Sequence, residues 1–292
     1  MIYLSRFFLP SIDREEKQKD RIGVSNYDNA YPYGIFPFKK IDFIDFDNIT
    51  IFYGNNGSGK STLLNLIAEK LRLSRTTPYN RSKFFDDYVN NLCDYQLSKD
   101  EEGLKNNINL GSRIITSEDI FHKILNTRYE NVKIENRRAN AADDYLTNKY
   151  TEYSFNSLED YDNLKKQNEA KSKSQRRFID SRAGREIKQF SNGETAISYY
   201  NKEFKTGCLY LLDEPENSLS PHFQLKLADL IIECVRYCNC QFVIATHSPL
   251  LLSLGLVYDL DSVPCSTKLW SELENVKVYY NFFKKNENKF SV

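Results

Sequence analysis

Neither sign of charge prevails in this chain of 292 residues: Lys and Arg together number 40, and so do Asp and Glu. The whole-chain balance therefore argues for neither a nucleic acid nor an anionic membrane as partner, and any such surface must be local. Paired CxxC spacing is missing among the six cysteines (Cys93, Cys208, Cys234, Cys238, Cys240, Cys265), and only three histidines are present, so a zinc cluster has few ligands to draw on. Cys234, Cys238 and Cys240 fall on a helix end and a strand start, where buried free thiols are expected. The N-terminus MIYLSRFFLPSIDREEKQKD has no positively charged leader followed by an apolar stretch, so no signal peptide is read. The most apolar window, Phe242–Val257, is broken by Thr246-His247-Ser248-Pro249 and is too short to span a bilayer. These absences lead to the expectation of a cytoplasmic protein with reduced thiols and no membrane partner.

What remains suffices for a full α/β core, since 40% of the residues are hydrophobic, and disorder throughout is excluded. Strand patterns appear at Ile2-Tyr3-Leu4, Ile41–Phe46 and Ile49–Tyr53, with an ordered aromatic loop, YDNAYPYGIFPF, at Tyr27–Phe38. From Thr76 to about Gln189, Asn, Lys, Asp and Tyr dominate and apolar runs are short. This stretch is expected to be an inserted, largely helical lobe over 76–189 within a single domain of residues 1–292. Its helical center lies at 120–185, with amphipathic segments at Asp119–Leu125 and Tyr161–Arg177 and one strand at Ser112–Thr116. Beyond Ser191 the core pattern returns: strand Cys208–Leu212, helix Pro221–Tyr237, strand Gln241–Ala245 and a last strand near Asn275–Phe283. Helices alternating with apolar strands predict a mostly parallel sheet.

The most informative stretch is ITIFYGNNGSGKS, in which the strand Ile49–Tyr53 runs into Gly54-Asn55-Asn56-Gly57-Ser58-Gly59-Lys60-Ser61 and then into a helix marked by Leu63, Leu64, Leu66, Ile67 and Leu71. Glycines let backbone N–H groups curl around a phosphate, and the helix presents its positive end to the same anion. In such a P-loop Lys60 reaches the β- and γ-phosphates and Ser61 ligates Mg²⁺. Asn55, Asn56, Gly57, Ser58, Gly59, Lys60, Ser61 and Thr62 are thus the expected nucleotide-binding residues.

A second strand, Cys208–Leu212, ends in Asp213 and Glu214. In this setting Asp213 contacts Mg²⁺ and Glu214 orients the attacking water, although the same residues also read as an acidic turn, DEPEN. His247 ends the strand QFVIAT. A lone histidine is more often structural, but ligands collect at the carboxyl ends of strands in α/β sheets. Ser191-Asn192-Gly193-Glu194 reads by itself as a helix start, with Ser191 as N-cap and Glu194 closing a capping box.

In this order Gly54–Ser61, Ser191–Glu194, Leu209–Glu214, Asn217-Ser218-Leu219-Ser220 and His247 resemble the ATP-binding cassette (ABC) ATPases. They correspond to the P-loop, signature motif, Walker B with catalytic glutamate, D-loop and switch histidine. The sequences IATHSPLLL and LLDEPENSLSP are similar to the soluble branch containing RecF, the SMC-type ATPases and the overcoming-lysogenisation-defect (OLD) family. The resemblance covers about residues 40–72 and 188–262. Asn192 departs from the glycine usual in transporter signatures, and no glutamine-bearing loop is evident. Gln96 comes too early, and Thr116-Ser117-Glu118-Asp119 is the positional candidate for that contact.

The resemblance implies an ABC-like head with antiparallel N-terminal strands, an ATPase using ATP and Mg²⁺, and a head-to-tail homodimer. Each ATP would lie between the P-loop of one chain and Ser191, Gly193 and Glu194 of the other. It further implies Lys60, Glu214 and His247 as the catalytic set, Ser61 and Asp213 on the metal, and an adenine-stacking aromatic among Tyr31, Tyr33 and Phe36. Three uses of the cycle stay open. The favored one is control of a separate effector, a nuclease or toxin, in anti-phage defence. DNA remains open as a partner in a RecF- or SMC-like repair role, because Lys165, Lys166, Lys171, Lys173, Arg176, Arg177, Arg182, Arg185 and Lys188 face only Glu169, Asp180 and Glu186. A solvated helical face explains the same stretch. The third use is the nucleotide-binding subunit of a transporter.

Overall fold

The computed structural model describes residues 1–24, 29–99, 107–151, 161–184 and 191–290. Along the chain these form β1 (Leu4–Phe8), α1 (Ile12–Ile22), β2 (Phe43–Asp45), β3 (Ile49–Tyr53), α2 (Lys60–Lys70), α3 (Phe85–Leu92), β4 (Asp94–Leu97) and β5 (Arg113–Thr116). The long helix α4 (Ser117–Tyr150) follows, then α5 (Tyr161–Ser172), α6 (Gln175–Ala183), α7 (Asn192–Glu203), β6 (Leu209–Asp213), α8 (Pro221–Tyr237), β7 (Gln241–Ala245), β8 (Leu256–Asp259), β9 (Ser266–Lys268) and α9 (Glu274–Lys285).

Parallel strands covered on both faces need unbroken apolar sequence, and ITIFY in β3, LYLL in β6 and QFVIA in β7 supply it; every residue of β3 and β7 is buried. These strands form a six-stranded sheet in the order β5-β6-β7-β3-β8-β9, parallel except for the antiparallel edge strand β9. A second, antiparallel sheet has the order β2-β1-β4. The fold class expected from the sequence, a mostly parallel α/β sheet with antiparallel N-terminal strands, is the one observed.

Gln241 joins the two sheets. Its buried amide accepts from the backbone N–H groups of Tyr3 and Leu4 and donates to the carbonyls of Leu4 and Asp47, at 2.9–3.1 Å. Between the two sheets, α2 lays Leu63, Leu64, Leu66 and Ile67 into one core cluster with Leu4 and Phe7 of β1 and Leu211 and Val243 of the large sheet.

Register brings the strand ends together. Thr116 lies opposite Asp213, Asp213 opposite Ala245, and Ala245 opposite Phe52. The residues that follow, Ser117, Glu214, Thr246 and Gly54, therefore leave the sheet along one edge, where α/β folds bind ligands.

The chain divides into two compact units, Met1–Ile120 with Asn192–Val292, and Phe121–Ser191. The insertion expected at 76–189 thus differs from the second unit at its start, because residues 76–120 count with the first. The polar composition of that stretch conceals α3, whose Phe85, Tyr88, Val89 and Leu92 are buried at helical spacing. Within the second unit a small core of Tyr145, Ala170 and Phe178 is ringed by ion pairs: Arg138 with Asp180, Lys173 with Glu169, and Arg182 with both Asp144 and Glu169. Lys173, Arg176 and Arg182 of the basic stretch are thus engaged by acids of their own unit. Arg185, Glu186 and Lys188 lie outside the described residues.

Two further expectations are corrected. The segment Tyr161–Arg177 is two helices, broken at Ser174, which takes an extended conformation ahead of α6. The last strand expected near Asn275–Phe283 is the helix α9. Its β-branched and aromatic residues carry strand propensity, but Leu273 and Val276, three apart, are the positions that anchor it. Among the described residues no helix is long and apolar enough to cross a membrane.

Candidate nucleotide site

β3 delivers the chain to Gly54, where a Cβ would stand 2.6 Å from Ser58 Oγ, so only glycine admits the turn that follows. The loop closes with Ser58 N–H donating to Asn55 C=O at 3.0 Å, and Gly57 and Gly59 take φ of 82° and 96° before α2 begins at Lys60.

The Lys60 ammonium, almost fully buried, spends its protons on Gly54 O (2.8 Å), Asn55 O (3.3 Å) and His247 Nε2 (2.8 Å). Burial holds its pKa below the ordinary lysine value, and the carboxylates of Glu214, Asp213, Asp261 and Glu216 pull the other way. Ser61, one residue on, donates to Asp213 Oδ1 at 3.0 Å. Burial pushes the Asp213 carboxyl up to about 6, with the negative charge of Glu214 adding to the rise and the Ser61 hydroxyl and Lys60 opposing it. A hydroxyl and a carboxylate in contact are the hard oxygen donors that Mg²⁺ selects, so this pair fits the cation the sequence implies. Thr62 is buried and accepts from the Tyr31 hydroxyl at 3.1 Å.

At the end of β6, Glu214 extends the ladder by donating its N–H to Ala245 O at 2.8 Å, then turns with φ of 46°. A non-glycine residue in that region costs about 1–3 kcal/mol and is held there only where its surroundings dictate it. Asn217 supplies part of the constraint, donating from its side chain to Glu214 Oε2 at 2.9 Å and from its backbone to Glu214 O at 3.1 Å. Glu214 Oε1 stands 3.6 Å from His247 Nε2. Asn55, Asn56, Glu214, Asn217 and His247 line an open cleft of ≈ 660 Å³.

The structure therefore brings Lys60, Ser61, Asp213, Glu214 and His247 to one place. Gly193 and Glu194 are not among the described residues that line the cleft, and Ser191 and Glu194 are exposed to solvent. α7 starts at Asn192, and Gly193 is required by close approach, since a Cβ there would lie 2.3 Å from Phe223 Cδ2 on α8. Of the aromatic candidates, Phe36 is buried beneath Gly59 and Tyr33 is buried with its hydroxyl bound to Asp87. Tyr31 alone of the three keeps an accessible edge. Thr116, opposite Asp213, is tied to Asp119, which accepts from its N–H at 2.7 Å and its hydroxyl at 3.1 Å.

Several partners escape sequence reasoning. Asp261, just beyond β8, accepts from Asn55 N–H at 2.6 Å. Glu216 accepts from the N–H groups of His247 and Ser248, and Asn275 donates to His247 O. Glu216 was visible as an acid in DEPEN, but nothing local announced its target; Asp261 and Asn275 carry no signal at all.

No curated protein matches the chain. Solved structures similar to it include the SMC head domain from Thermotoga maritima, 15% identical over 88% of this chain and 94% of that one, with a TM-score of 0.42. Another is the Smc head domain from Pyrococcus furiosus, with an extended coiled coil bound to the C-terminal domain of ScpA. It is 14% identical over 97% of this chain and 100% of that one, with a TM-score of 0.41. A post-hydrolysis dimer of an ATP-binding cassette bound to ADP and Pi is 14% identical over 74% and 83%, with a TM-score of 0.33. The family described as "AAA domain, putative AbiEii toxin, Type IV TA system" matches residues 79–253, a span that begins after the P-loop and contains the signature, Asp213-Glu214 and His247. That span is more than half of the chain, and the protein belongs to this family of AAA domains.

Proposed function

We propose that the protein is a soluble ABC-type ATPase that binds and hydrolyzes ATP in composite sites of a head-to-tail homodimer and uses the cycle to control a separate effector. The observation that carries this reading is the convergence of Lys60, Ser61, Asp213, Glu214 and His247 on one cleft at the ends of β3, β6 and β7.

Bound ATP lays its phosphates along the amides of Asn56–Ser61 at the N-terminus of α2, where the helix dipole and the Lys60 ammonium offset their charge. Ser61 and Asp213 would hold Mg²⁺, which would supply neutralization of phosphate charge. Glu214 accepts the proton of the attacking water, its carboxylate aimed by Asn217. His247 lies within reach of both Lys60 and Glu214, where it senses the γ-phosphate.

Gly193 and Glu194 stand outside the lining of this cleft, and a chain with one P-loop and one signature needs a second copy to complete either site. The γ-phosphate shared across the interface then supplies the difference in affinity that favors the dimer. The family description, which names a toxin and a type IV toxin–antitoxin system, supports a role in bacterial anti-phage defence.

Phosphate release from ATP and Mg²⁺ by the purified protein tests the reading. Glu214→Gln is expected to lower kcat by about 10²–10⁴ while leaving ATP binding intact. A Glu214→Gln variant as fast as wild type would refute the assignment of the base.

A further inference from the structure

The His247 peptide is gripped at both ends by side chains that the proposed chemistry does not use. On one side Glu216 Oε1 accepts two hydrogen bonds, from His247 N–H at 2.6 Å and from Ser248 N–H at 3.1 Å. The other oxygen, Oε2, is buried and has no hydrogen-bond partner among the described residues, so the carboxylate's hydrogen bonds there all go to this loop. On the far side Asn275, in the first turn of α9, donates its amide to His247 O at 2.6 Å, while its own N–H reaches the Tyr53 hydroxyl at 3.3 Å.

We infer that Glu216 is a positioning residue for His247, acting as a neutral-tolerant hydrogen-bond acceptor, with Asn275 completing the grip. This rests on the proposed ATPase reading for its functional consequence. The physical argument is one of orientation. Strand β7 ends at Ala245, and Thr246 N–H still donates to Phe52 O at 3.2 Å, so from His247 onward the sheet no longer dictates the backbone. The imidazole nevertheless has to meet Lys60 at 2.8 Å and Glu214 at 3.6 Å. The His247 and Ser248 N–H groups belong to the two successive peptide units that flank the His247 Cα, so one oxygen accepting from both fixes the backbone at His247, and the bond from Asn275 to His247 O holds the second unit at its other end. A displacement of about 1 Å at such a site is worth on the order of 100-fold in rate.

The role predicts an unusual order among variants. Glu216→Gln keeps the oxygen that accepts both bonds and loses the charge; Glu216→Ala removes the oxygen; Glu216→Asp keeps the charge but pulls the acceptor back by one methylene. Steady-state hydrolysis is expected to give Gln close to wild type, with Ala and Asp each down on the order of 10- to 100-fold in kcat and KM for ATP nearly unchanged. Asn275→Ala should move in the same direction by a smaller factor. A Glu216→Gln loss equal to that of Glu216→Ala would overturn the inference, because it would mean that the charge or proton of Glu216 is what matters.

A second readout is independent of turnover. The chain has only three histidines, so ¹⁵N-histidine labeling with His122→Gln and His222→Gln controls assigns the His247 imidazole. Its Nε2 resonance should report an acceptor bonded to Lys60 in wild type and in Glu216→Gln, and shift toward that of a free imidazole in Glu216→Ala. An unchanged resonance in Glu216→Ala would overturn the inference even in a protein with no measurable hydrolysis. Absent hydrolysis with the predicted shift would instead refute the ATPase reading alone.

Discussion

Lys60 Nζ lies 2.8 Å from His247 Nε2, so a lysine at the start of α2 and a histidine just past β7 share one hydrogen bond across 187 residues of sequence. With the lysine donating, Nε2 is the unprotonated acceptor of the ring. The bond uses the ammonium that the proposed reading directs at phosphate, so nucleotide binding would draw on a donor already engaged by His247.

Removing that ammonium tests it directly. Lys60→Ala is expected to weaken ATP binding by about 10- to 100-fold, the worth of a charge-assisted hydrogen bond at 1.5–3 kcal/mol. Isothermal titration calorimetry measures it, and wild-type affinity in the variant would remove Lys60 from its role.

Asp213 makes the site sensitive to acid. Its carboxyl titrates at about 6, and Mg²⁺ requires the ionized form, so Mg²⁺ affinity should fall about tenfold per pH unit below 6 and level off above it. Stability follows the opposite sign. A folded-state pKa above the ordinary 3.8 means that the native protein binds the proton more tightly than the unfolded chain, so the cost of ionized Asp213 is fully present above pH 6 and vanishes below 3.8. Asp213→Asn should therefore raise the metal-free Tm at pH 8 by on the order of 2 °C and have no such effect at pH 3.5, in scans by circular dichroism.

At the start of α7, Gly193→Ala sets a methyl group against the Phe223 ring. The expected cost is about 1–3 kcal/mol of overpacking, read as a lower urea midpoint. Gly193→Ala combined with Phe223→Ala should recover part of the loss, since the ring is the obstacle; equal loss in both would contradict the packing account.

Gln241→Leu keeps the bulk of the side chain but leaves the N–H groups of Tyr3 and Leu4 and the carbonyls of Leu4 and Asp47 without its amide. Buried polar groups left unpaired cost about 1–3 kcal/mol each, so urea denaturation should show a loss above about 3 kcal/mol. A loss under 1 kcal/mol would show that the joint between the sheets is dispensable.

The residues that the sequence made legible are those whose chemistry is local. The P-loop glycines announce a backbone turn, and QFVIA and LYLLD announce buried parallel strands, because neighbors in sequence carry the whole signal. α9 reads as a strand in sequence because Val276, Val278, Tyr279, Tyr280, Phe282 and Phe283 have strand propensity. The helix instead leaves Val278, Tyr279, Tyr280, Phe282 and Phe283 exposed and uses Leu273 and Val276 to anchor its start. In residues 76–120 the polar composition hides α3, whose four core residues are too few to raise the average hydrophobicity of the stretch. The partners of His247 were illegible for a third reason: Glu216 and Asn275 lie 31 and 28 residues from it, and only the folded sheet edge brings them together.

The central claim, that the cleft around Lys60 is half of a site completed by Ser191, Gly193 and Glu194 of a second chain, is tested most directly by the mass of Glu214→Gln in solution. With saturating ATP and Mg²⁺, multi-angle light scattering should give a dimer that reverts to monomer when ATP is replaced by ADP. A monomer at saturating ATP would contradict the shared site.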